Sequence, residues 1–227
     1  MELARIRRER AVDAVYNSLR QAILASLLKP GERLNVDDLA DKLGVSLTPV
    51  RQAIQQLSTE GLVEIKPRSG TFVASLSARD VEETFEIRCA LECLAADKAV
   101  ENITPEQLRR LRELLRLLRK PVKDEEDRHS HERYNSELHT ILIQASGNLR
   151  LREMYEALNA HLRIARIHQH EAGWPERLAE EQSEHEKIVI ALEKQSPADL
   201  VKALRQHIFR ARDALAAGMR HRGGGAG

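Results

Sequence analysis

One short stretch decides the fold of the N-terminal part: Leu39-Ala40-Asp41-Lys42-Leu43-Gly44-Val45-Ser46-Leu47-Thr48-Pro49-Val50-Arg51. Its first apolar residues recur at helical spacing, and Asn35 precedes them where it can cap a helix. Gly44 can adopt the left-handed conformation that ends a helix, because it has no Cβ. Ser46 can cap a second helix, and Pro49 falls in its first turn, where the missing N–H breaks no helical hydrogen bond. The stretch therefore predicts two short helices joined by a tight turn.

The segments on either side complete a small domain. Upstream, an apolar stripe predicts a helix over residues 10–28, and it consists of Val12, Val15, Leu19, Ile23 and Leu27. Downstream, residues 62–66 and 71–74 are rich in strand-forming side chains and flank a turn with a basic tip, which predicts a β-hairpin. Three helices followed by a hairpin form a winged helix-turn-helix, which we expect to occupy residues 1–75.

The outer face of the second short helix carries polar groups that suit DNA. Ser46 stands at its start, and the outward-facing residues are Thr48, Arg51, Gln52 and Gln55. Arginine can form two hydrogen bonds with guanine, glutamine can do so with adenine, and hydroxyls can bind phosphate near the positive helix end. An ordinary solvated helix face would have a similar composition. The adjacent hairpin favours DNA binding, because a wing beside such a helix is hard to explain otherwise.

These residues resemble the GntR family of bacterial transcription regulators. The match covers roughly the first third of the chain and runs through Leu28–Leu34, Leu39–Ser46, Thr48–Arg51, Leu57, Glu60–Val63 and Pro67–Val73. The resemblance implies that the recognition helix reads operator bases, mainly through Arg51, and that the wing tip enters the minor groove. Arg68 and Gly70 are the expected wing contacts, and Lys66 beside them is a further candidate.

The rest of the chain predicts an all-helical bundle, so the fold class is mainly α. Helical periodicity and capping residues indicate six helices, at about 78–100, 104–119, 125–146, 148–171, 175–194 and 197–218. We expect this bundle to occupy residues 76–220. The glycine-rich residues 221–227 are expected to form a disordered tail.

Three histidines lie on the apolar faces of three different predicted helices. They are His139, His185 and His207. A single buried histidine is usually a hydrogen-bonded core residue, but three imidazoles that meet in a bundle would bind Zn²⁺, Ni²⁺ or Mn²⁺ with open positions for a ligand. By contrast, His129 and His131 lie in a charged run and are expected to be exposed.

The helical segment resembles the FCD effector domain of the FadR-like branch of the GntR family, and six helices rather than seven would place it nearer the VanR-like form. The matching residues are Arg88, Leu91-Glu92, Leu138-His139, Gln144–Asn148, Glu184-His185 and His207. Metal-binding members use three histidines and an acidic residue one turn before the first, and here that position is Asn135. Arg88 is a candidate for binding the carboxylate of a small-molecule effector, in addition to the metal ion. An internal salt bridge to Glu92 would explain Arg88 equally well.

Charge and hydropathy limit which partners and which cellular location we can expect. The formal net charge is +1, and residues 1–75 carry 11 Lys and Arg against 9 Asp and Glu, so bulk charge does not argue for DNA binding. No apolar run approaches the ~20 residues that a membrane span needs, and no secretory segment follows the charged start. We therefore expect a cytoplasmic protein with no membrane partner.

Together these features predict a transcription regulator, most simply a repressor, and not an enzyme. We expect a homodimer that binds an inverted repeat in double-stranded DNA, and a small carboxylate effector that completes the coordination of a divalent metal ion. Two alternatives stay open at this point. The histidines could bind an organic ligand in a metal-free cavity, or they could form the centre of a metal-dependent hydrolase.

Overall fold

The computed structural model describes residues 8–25, 27–167 and 174–223. These residues divide into two compact units. The first comprises the described residues up to Leu76 together with residues 163–167, and the second comprises Ser77–Leu162 and the described residues from Trp174 onward. Within the described residues, no helix is both long and apolar enough to span a membrane.

The first unit is a winged helix-turn-helix, as predicted. Its elements are α1 (Arg8–Leu24), β1 (Arg33–Leu34), α2 (Val36–Leu43), α3 (Leu47–Thr59), β2 (Val63–Lys66) and β3 (Gly70–Val73). The predicted extension of the first helix to residue 28 is wrong. The amides of Leu27 and Leu28 both donate to the carbonyl of Ala22, a wider turn than an α-helix makes, and Leu27 is 76% exposed.

The sheet has one strand more than the predicted hairpin. β3 lies in the middle and pairs antiparallel with both β1 and β2, with Arg33 opposite Phe72 and Lys66 opposite Gly70. A strand of two residues is too short to show an alternating pattern, so β1 could not be predicted from local periodicity. The extra strand ties the wing to the segment that precedes α2.

Local signals position α2 and α3 largely as predicted. The side chain of Asn35 accepts a hydrogen bond from the amide of Asp37, and Gly44 has φ of 64°. Ser46 occupies the N-cap position of α3, but its hydroxyl makes no capping hydrogen bond. The core forms where α1 packs against α3, and its buried side chains include Val15, Leu19, Ile23, Val50, Ile54 and Leu57.

In its described part the second unit is built from six helices, as predicted, although residues 163–167 at the end of one of them are grouped with the first unit. They are α4 (Ala78–Asn102), α5 (Pro105–Leu118), α6 (Glu125–Ala145), α7 (Leu149–Ile167), α8 (Trp174–Glu193) and α9 (Pro197–Gly223). Capping boxes at Ser77 and Thr104 fix the starts of α4 and α5. Because α9 continues to Gly223, the tail prediction is wrong for residues 221–223. Residues 168–173 and 224–227 lie outside the described residues, and so do the predicted end of the fourth helix and the rest of the tail.

The packing of the second unit brings α4, α6, α8 and α9 around a common interior. Helix α9 packs along α4 and α8, and α6 packs against α4 and α5. Most side chains between them are aliphatic, but several buried ones are polar or charged: Arg88, Glu92, Asn135, His139, Glu184, His185 and His207. Buried polar groups in such number need mutual partners or a ligand, because desolvation without them is costly.

Candidate functional site

The polar face of α3 is exposed along its length. Ser46, Thr48, Arg51, Gln52 and Gln55 all face solvent, whereas the opposite face supplies the core. Among the described residues no carboxylate pairs with Arg51. Its guanidinium is therefore available for an external acceptor.

At the wing, the charge of Lys66 is partly neutralised, whereas no described carboxylate pairs with Arg68. Lys66 Nζ lies 3.2 Å from Glu64 Oε2 and 5.4 Å from the centre of the Phe72 ring. Arg68 is exposed at the tip, where its φ of 63° lies in the left-handed region. Gly70 has φ of 125°, and a Cβ there would lie 3.0 Å from Arg33 Nε. The tip therefore needs glycine at this position, and Arg68 is the cation that it offers.

The three predicted histidines meet inside the second unit. His139, His185 and His207 come from α6, α8 and α9 and are buried, and one possible ligand atom from each lies within 4.8 Å of the others. The Nε2 atoms of His139 and His207 are 3.2 Å apart. Two nitrogens bound to one ion at 2.0–2.1 Å are roughly 3 Å apart in tetrahedral or octahedral geometry. The spacing therefore fits a shared metal ion.

Buried carboxylates stand behind these imidazoles. Glu92 Oε2 lies 2.7 Å from Nδ1 of His139, and Glu184 Oε2 lies 3.0 Å from Nδ1 of His207. If both Nδ1 atoms donate, both Nε2 atoms carry lone pairs that face each other at 3.2 Å. That arrangement is favourable when a cation lies between them, and carboxylates commonly orient metal-binding histidines in this way. The donor set thus fits a divalent ion such as Zn²⁺, Ni²⁺ or Mn²⁺.

Burial also favours the protonation state that metal binding requires. Burial and the neighbouring His207 lower the pKa of His185 well below its usual range. Burial and the neighbouring His139 do the same to the pKa of His207. Neutral imidazole is the form that binds metal, so these two side chains need not lose a proton near neutral pH.

Arg88 is fully buried and only partly satisfied. Its Nε donates to Glu92 Oε1 at 2.7 Å, which is the internal salt bridge that the sequence allowed. Its Nη1 and Nη2 are also buried, but no described residue accepts a hydrogen bond from them. The salt bridge therefore leaves two charged donors for another acceptor, and a carboxylate can engage both.

Glu92 lies at the centre of this buried polar network, a role that was not predicted from the sequence. It contacts Arg88 and His139 and also accepts a hydrogen bond from the Tyr155 hydroxyl at 3.2 Å. Burial alone would raise the pKa of Glu92, but His139 and Arg88 lower it well below its usual range. The sequence showed its four-residue spacing from Arg88 and its place in the FCD resemblance, but neither signal indicated the contact with His139.

Asn135 and His131 lie on the same face of α6 as His139. The three positions are four residues apart, and all three side chains are buried. The prediction that His131 is exposed is wrong, because its Nε2 lies 3.8 Å from Glu181 Oε1 inside the unit. The four-residue spacing was the available signal, and the charged neighbours in sequence concealed it. His129 is exposed, as predicted.

Comparisons with known proteins match both units. Residues 11–73 match the family model "Bacterial regulatory proteins, gntR family", and residues 83–210 match the FCD domain model. Over 152 residues the chain is 34% identical to the uncharacterised HTH-type transcriptional regulator YdhC of Bacillus subtilis, covering 67% of this chain and 68% of that one. It is 28% identical to the HTH-type transcriptional repressor RspR of Escherichia coli, covering 86% of this chain and 84% of that one.

Solved structures agree with these relationships. The structure of Escherichia coli McbR/YncC matches with a TM-score of 0.77 and 28% identity, covering 91% of this chain and 97% of that one. A putative GntR regulator from a Rhodococcus species matches in fold with a TM-score of 0.74 and 24% identity, with the same coverage of both chains. In sequence, the alignment with McbR is 39% identical but covers only 46% of this chain and 47% of the relative.

Proposed function

The chain belongs to the GntR family of bacterial regulatory proteins and carries an FCD domain, and we propose that it is a repressor whose operator affinity depends on a small carboxylate bound at a metal site. The family makes it a DNA-binding transcription regulator. The proposal adds the metal, the class of effector and the direction of control.

The proposed DNA contacts lie on α3 and the wing. Arg51 reads a base in the major groove, Gln52 and Gln55 contact neighbouring base edges, and the hydroxyls of Ser46 and Thr48 bind phosphate. Arg68 and the Gly70 backbone contact the minor groove. Lys66 contributes less, because Glu64 already offsets part of its charge. The exposure of the whole polar face of α3 supports this assignment.

His139, His185 and His207 would hold the metal ion, with Asn135 as a fourth candidate ligand through its amide oxygen. When bound, the ion would supply positive charge and open coordination positions for an anionic oxygen. Glu92 and Glu184 orient His139 and His207 through their Nδ1 atoms. This chain's own residues thus preorganise the ligands before the ion arrives.

The two unsatisfied guanidinium nitrogens of Arg88 are the observation that supports a carboxylate effector. Two charged donors that are fully buried without an acceptor are costly, and a carboxylate that pairs with both removes that cost. A carboxylate beside three clustered imidazoles can engage Arg88 and the metal's open positions together. A sugar acid, hydroxy acid or aromatic acid has suitable chemistry.

Control of DNA binding then follows from linkage. An effector that binds one state of a homodimer more tightly shifts the dimer towards that state and changes operator affinity. Relief of repression is the proposed direction, and the similarity to RspR, which is named as a transcriptional repressor, supports it.

Two alternatives, a metal-free ligand cavity and a metal-dependent hydrolase, explain fewer of these observations. In a metal-free cavity, the facing Nε2 atoms of His139 and His207 would need a shared proton in place of the cation. A metal-dependent hydrolase would leave the DNA-binding unit without a purpose, and the similar proteins are named as regulators.

Metal removal tests the proposal. Binding to the folded state alone contributes about 2.7 kcal/mol when free metal is a hundred times its Kd, so a chelator should lower the melting temperature by several degrees. His139→Ala, His185→Ala and His207→Ala should each abolish most of that sensitivity. His129→Ala removes an exposed imidazole from the same α6 and is the matched control, which should behave as wild type.

Elemental analysis of protein purified without a histidine tag gives the second readout. We expect about one divalent ion per chain, lost in the three variants and retained in the control. Absence of metal, together with melting curves that neither chelator nor added Zn²⁺, Ni²⁺ or Mn²⁺ can move, would leave the metal-free cavity as the better explanation.

A further inference from the structure

An exposed cation of β1 lies on the outer face of the wing. Arg33 is opposite Phe72 and Lys66 is opposite Gly70, so these four positions share one face of the three-stranded sheet. The other face carries Leu34, which is buried in the core of the first unit. Arg33 is exposed, and it projects from the face that points away from that core.

Gly70 makes room for the side chain of Arg33. A Cβ at Gly70 would lie 3.0 Å from Arg33 Nε, 3.5 Å from its Nη2 and 3.6 Å from its Cζ. The guanidinium therefore lies over the backbone of the central strand β3, close in sequence to Arg68 at the tip. The absence of a side chain at Gly70 thus positions a cation beside the tip, in addition to closing the turn.

No described carboxylate offsets the charge of Arg33. Glu32, its neighbour in sequence, accepts a hydrogen bond from the amide of Lys29 at 2.8 Å. Glu64, the carboxylate on the same face of the sheet, lies 3.2 Å from Lys66 Nζ. Both of these acids thus have other partners, and the guanidinium of Arg33 is available to bind an external anion.

Resting on the proposed DNA contact of the wing, we propose that Arg33, held over Gly70, is a further DNA-binding residue that neutralises one backbone phosphate beside the minor groove. Its guanidinium lies on a sheet face behind the tip, and phosphates border the groove that the tip enters. A phosphate contact fixes the position of the protein on the duplex and carries no sequence information. Arg33 therefore adds affinity and salt dependence on every sequence, and it leaves the choice of operator to α3.

The salt dependence of binding to an arbitrary duplex tests this role without a known operator. Fluorescence anisotropy with the full chain gives the slope of log affinity against log salt. Arg33→Gln keeps a polar side chain but removes the charge, so the magnitude of the slope should fall by about one for each chain that contacts the DNA. Arg33→Lys keeps the charge, and its slope should stay close to that of wild type. Lys98→Ala removes an exposed cation of the second unit and should leave the slope unchanged.

Substitutions of two glycines test whether Gly70 holds Arg33 in place. In a Gly70→Ala background the new methyl group takes the space of the guanidinium, so Arg33→Gln should lower the slope by less than about half of its effect in wild type. Gly31→Ala is the matched control. Gly31 also has a positive φ, of 78°, but beyond its sequence neighbours no described atom lies within 4 Å of a Cβ there, so Arg33→Gln should keep its full effect. An undiminished effect in the Gly70→Ala background would overturn the inference.

The other outcomes separate this inference from the proposed function. A slope that is unchanged in Arg33→Gln but reduced in Arg68→Ala would overturn the inference and keep the proposed contact of the wing tip. Unchanged slopes in both variants would remove the whole wing from the DNA contacts. Weaker binding with an unchanged slope in Arg33→Gln would make Arg33 a brace of the sheet, which would also overturn the inference.

Folding of the variants is checked by their melting curves. Because Arg33 is exposed, Arg33→Gln should fold as wild type does. Arg33→Ala gives the same readout with a second side chain, and its slope should match that of Arg33→Gln.

Discussion

At the scale of single residues, Glu92 shows how much one buried carboxylate can organise. It pairs with Arg88 on its own helix, orients His139 from α6 and accepts from Tyr155 of α7. Removing either member of such a buried pair leaves an uncompensated charge, which costs about 3–5 kcal/mol. The arrangement ties the proposed effector anchor and a proposed metal ligand to the same side chain.

Arg51 is the residue on which sequence discrimination should depend most. Arg51→Ala should weaken binding to the operator by about 1–3 kcal/mol and leave non-specific binding closer to intact, because a lost base contact matters only on the correct sequence. Gel shifts on operator and scrambled DNA measure both affinities.

Lys98→Ala is the matched control, since it removes one exposed cation from the second unit. It should leave operator binding unchanged. If Arg51→Ala reduced affinity for the two DNAs equally, Arg51 would be a phosphate contact and not a base reader.

At the scale of elements, the wing depends on a three-residue turn that places a cation at its tip. The left-handed Arg68 and Gly70 close the strands, and β1 holds β3 from its other side. The sequence predicted the hairpin from its flanking apolar residues and its turn composition. It did not predict β1, whose pairing with β3 is a contact between distant segments.

Arg68→Ala should change the salt dependence of DNA binding. If the contact of Arg68 with DNA is mainly electrostatic, its loss should reduce the slope of log affinity against log salt by about one, with a similar effect on all sequences. Affinities measured over a range of salt concentrations give the slope. Lys66→Ala should change the slope less, because Glu64 already offsets part of the Lys66 charge. An unchanged slope in Arg68→Ala would show that the tip of the wing does not contact DNA.

At the scale of the whole molecule, the two units differ in where their polar groups lie. One offers an exposed polar helix face and a cationic wing, and the other encloses a buried polar centre within a helical bundle. One short recognition helix and one wing contact too few base pairs to distinguish a single site in a genome. We therefore expect two copies of the chain on one operator.

Footprinting tests the expected two-fold complex. Two symmetric half-sites should be protected, with centres about one helical turn of DNA apart or a multiple of it, and light scattering should give the mass of a dimer. A monomeric mass together with a single asymmetric footprint would contradict the dimer.

The sequence by itself determined the helices of both units, the hairpin of the wing and the apolar helix faces that carry the three histidines, but not β1. Helix starts at Asn35, Ser77 and Thr104, the stop at Gly44 and the apolar stripes are local signals, since they act within a few residues of the chain. The family resemblance to GntR and FCD proteins rested on the same local motifs, and the comparisons confirm it.

Only the tertiary structure decided which polar groups meet. The contact between Glu92 and His139 spans 47 residues and that between His139 and His207 spans 68, and no local pattern encodes such a distance. The burial of His131 and the unsatisfied nitrogens of Arg88 follow from packing between helices as well. Helical periodicity tells which face of a helix is buried, but the partner of each buried group depends on how the helices pack together in three dimensions.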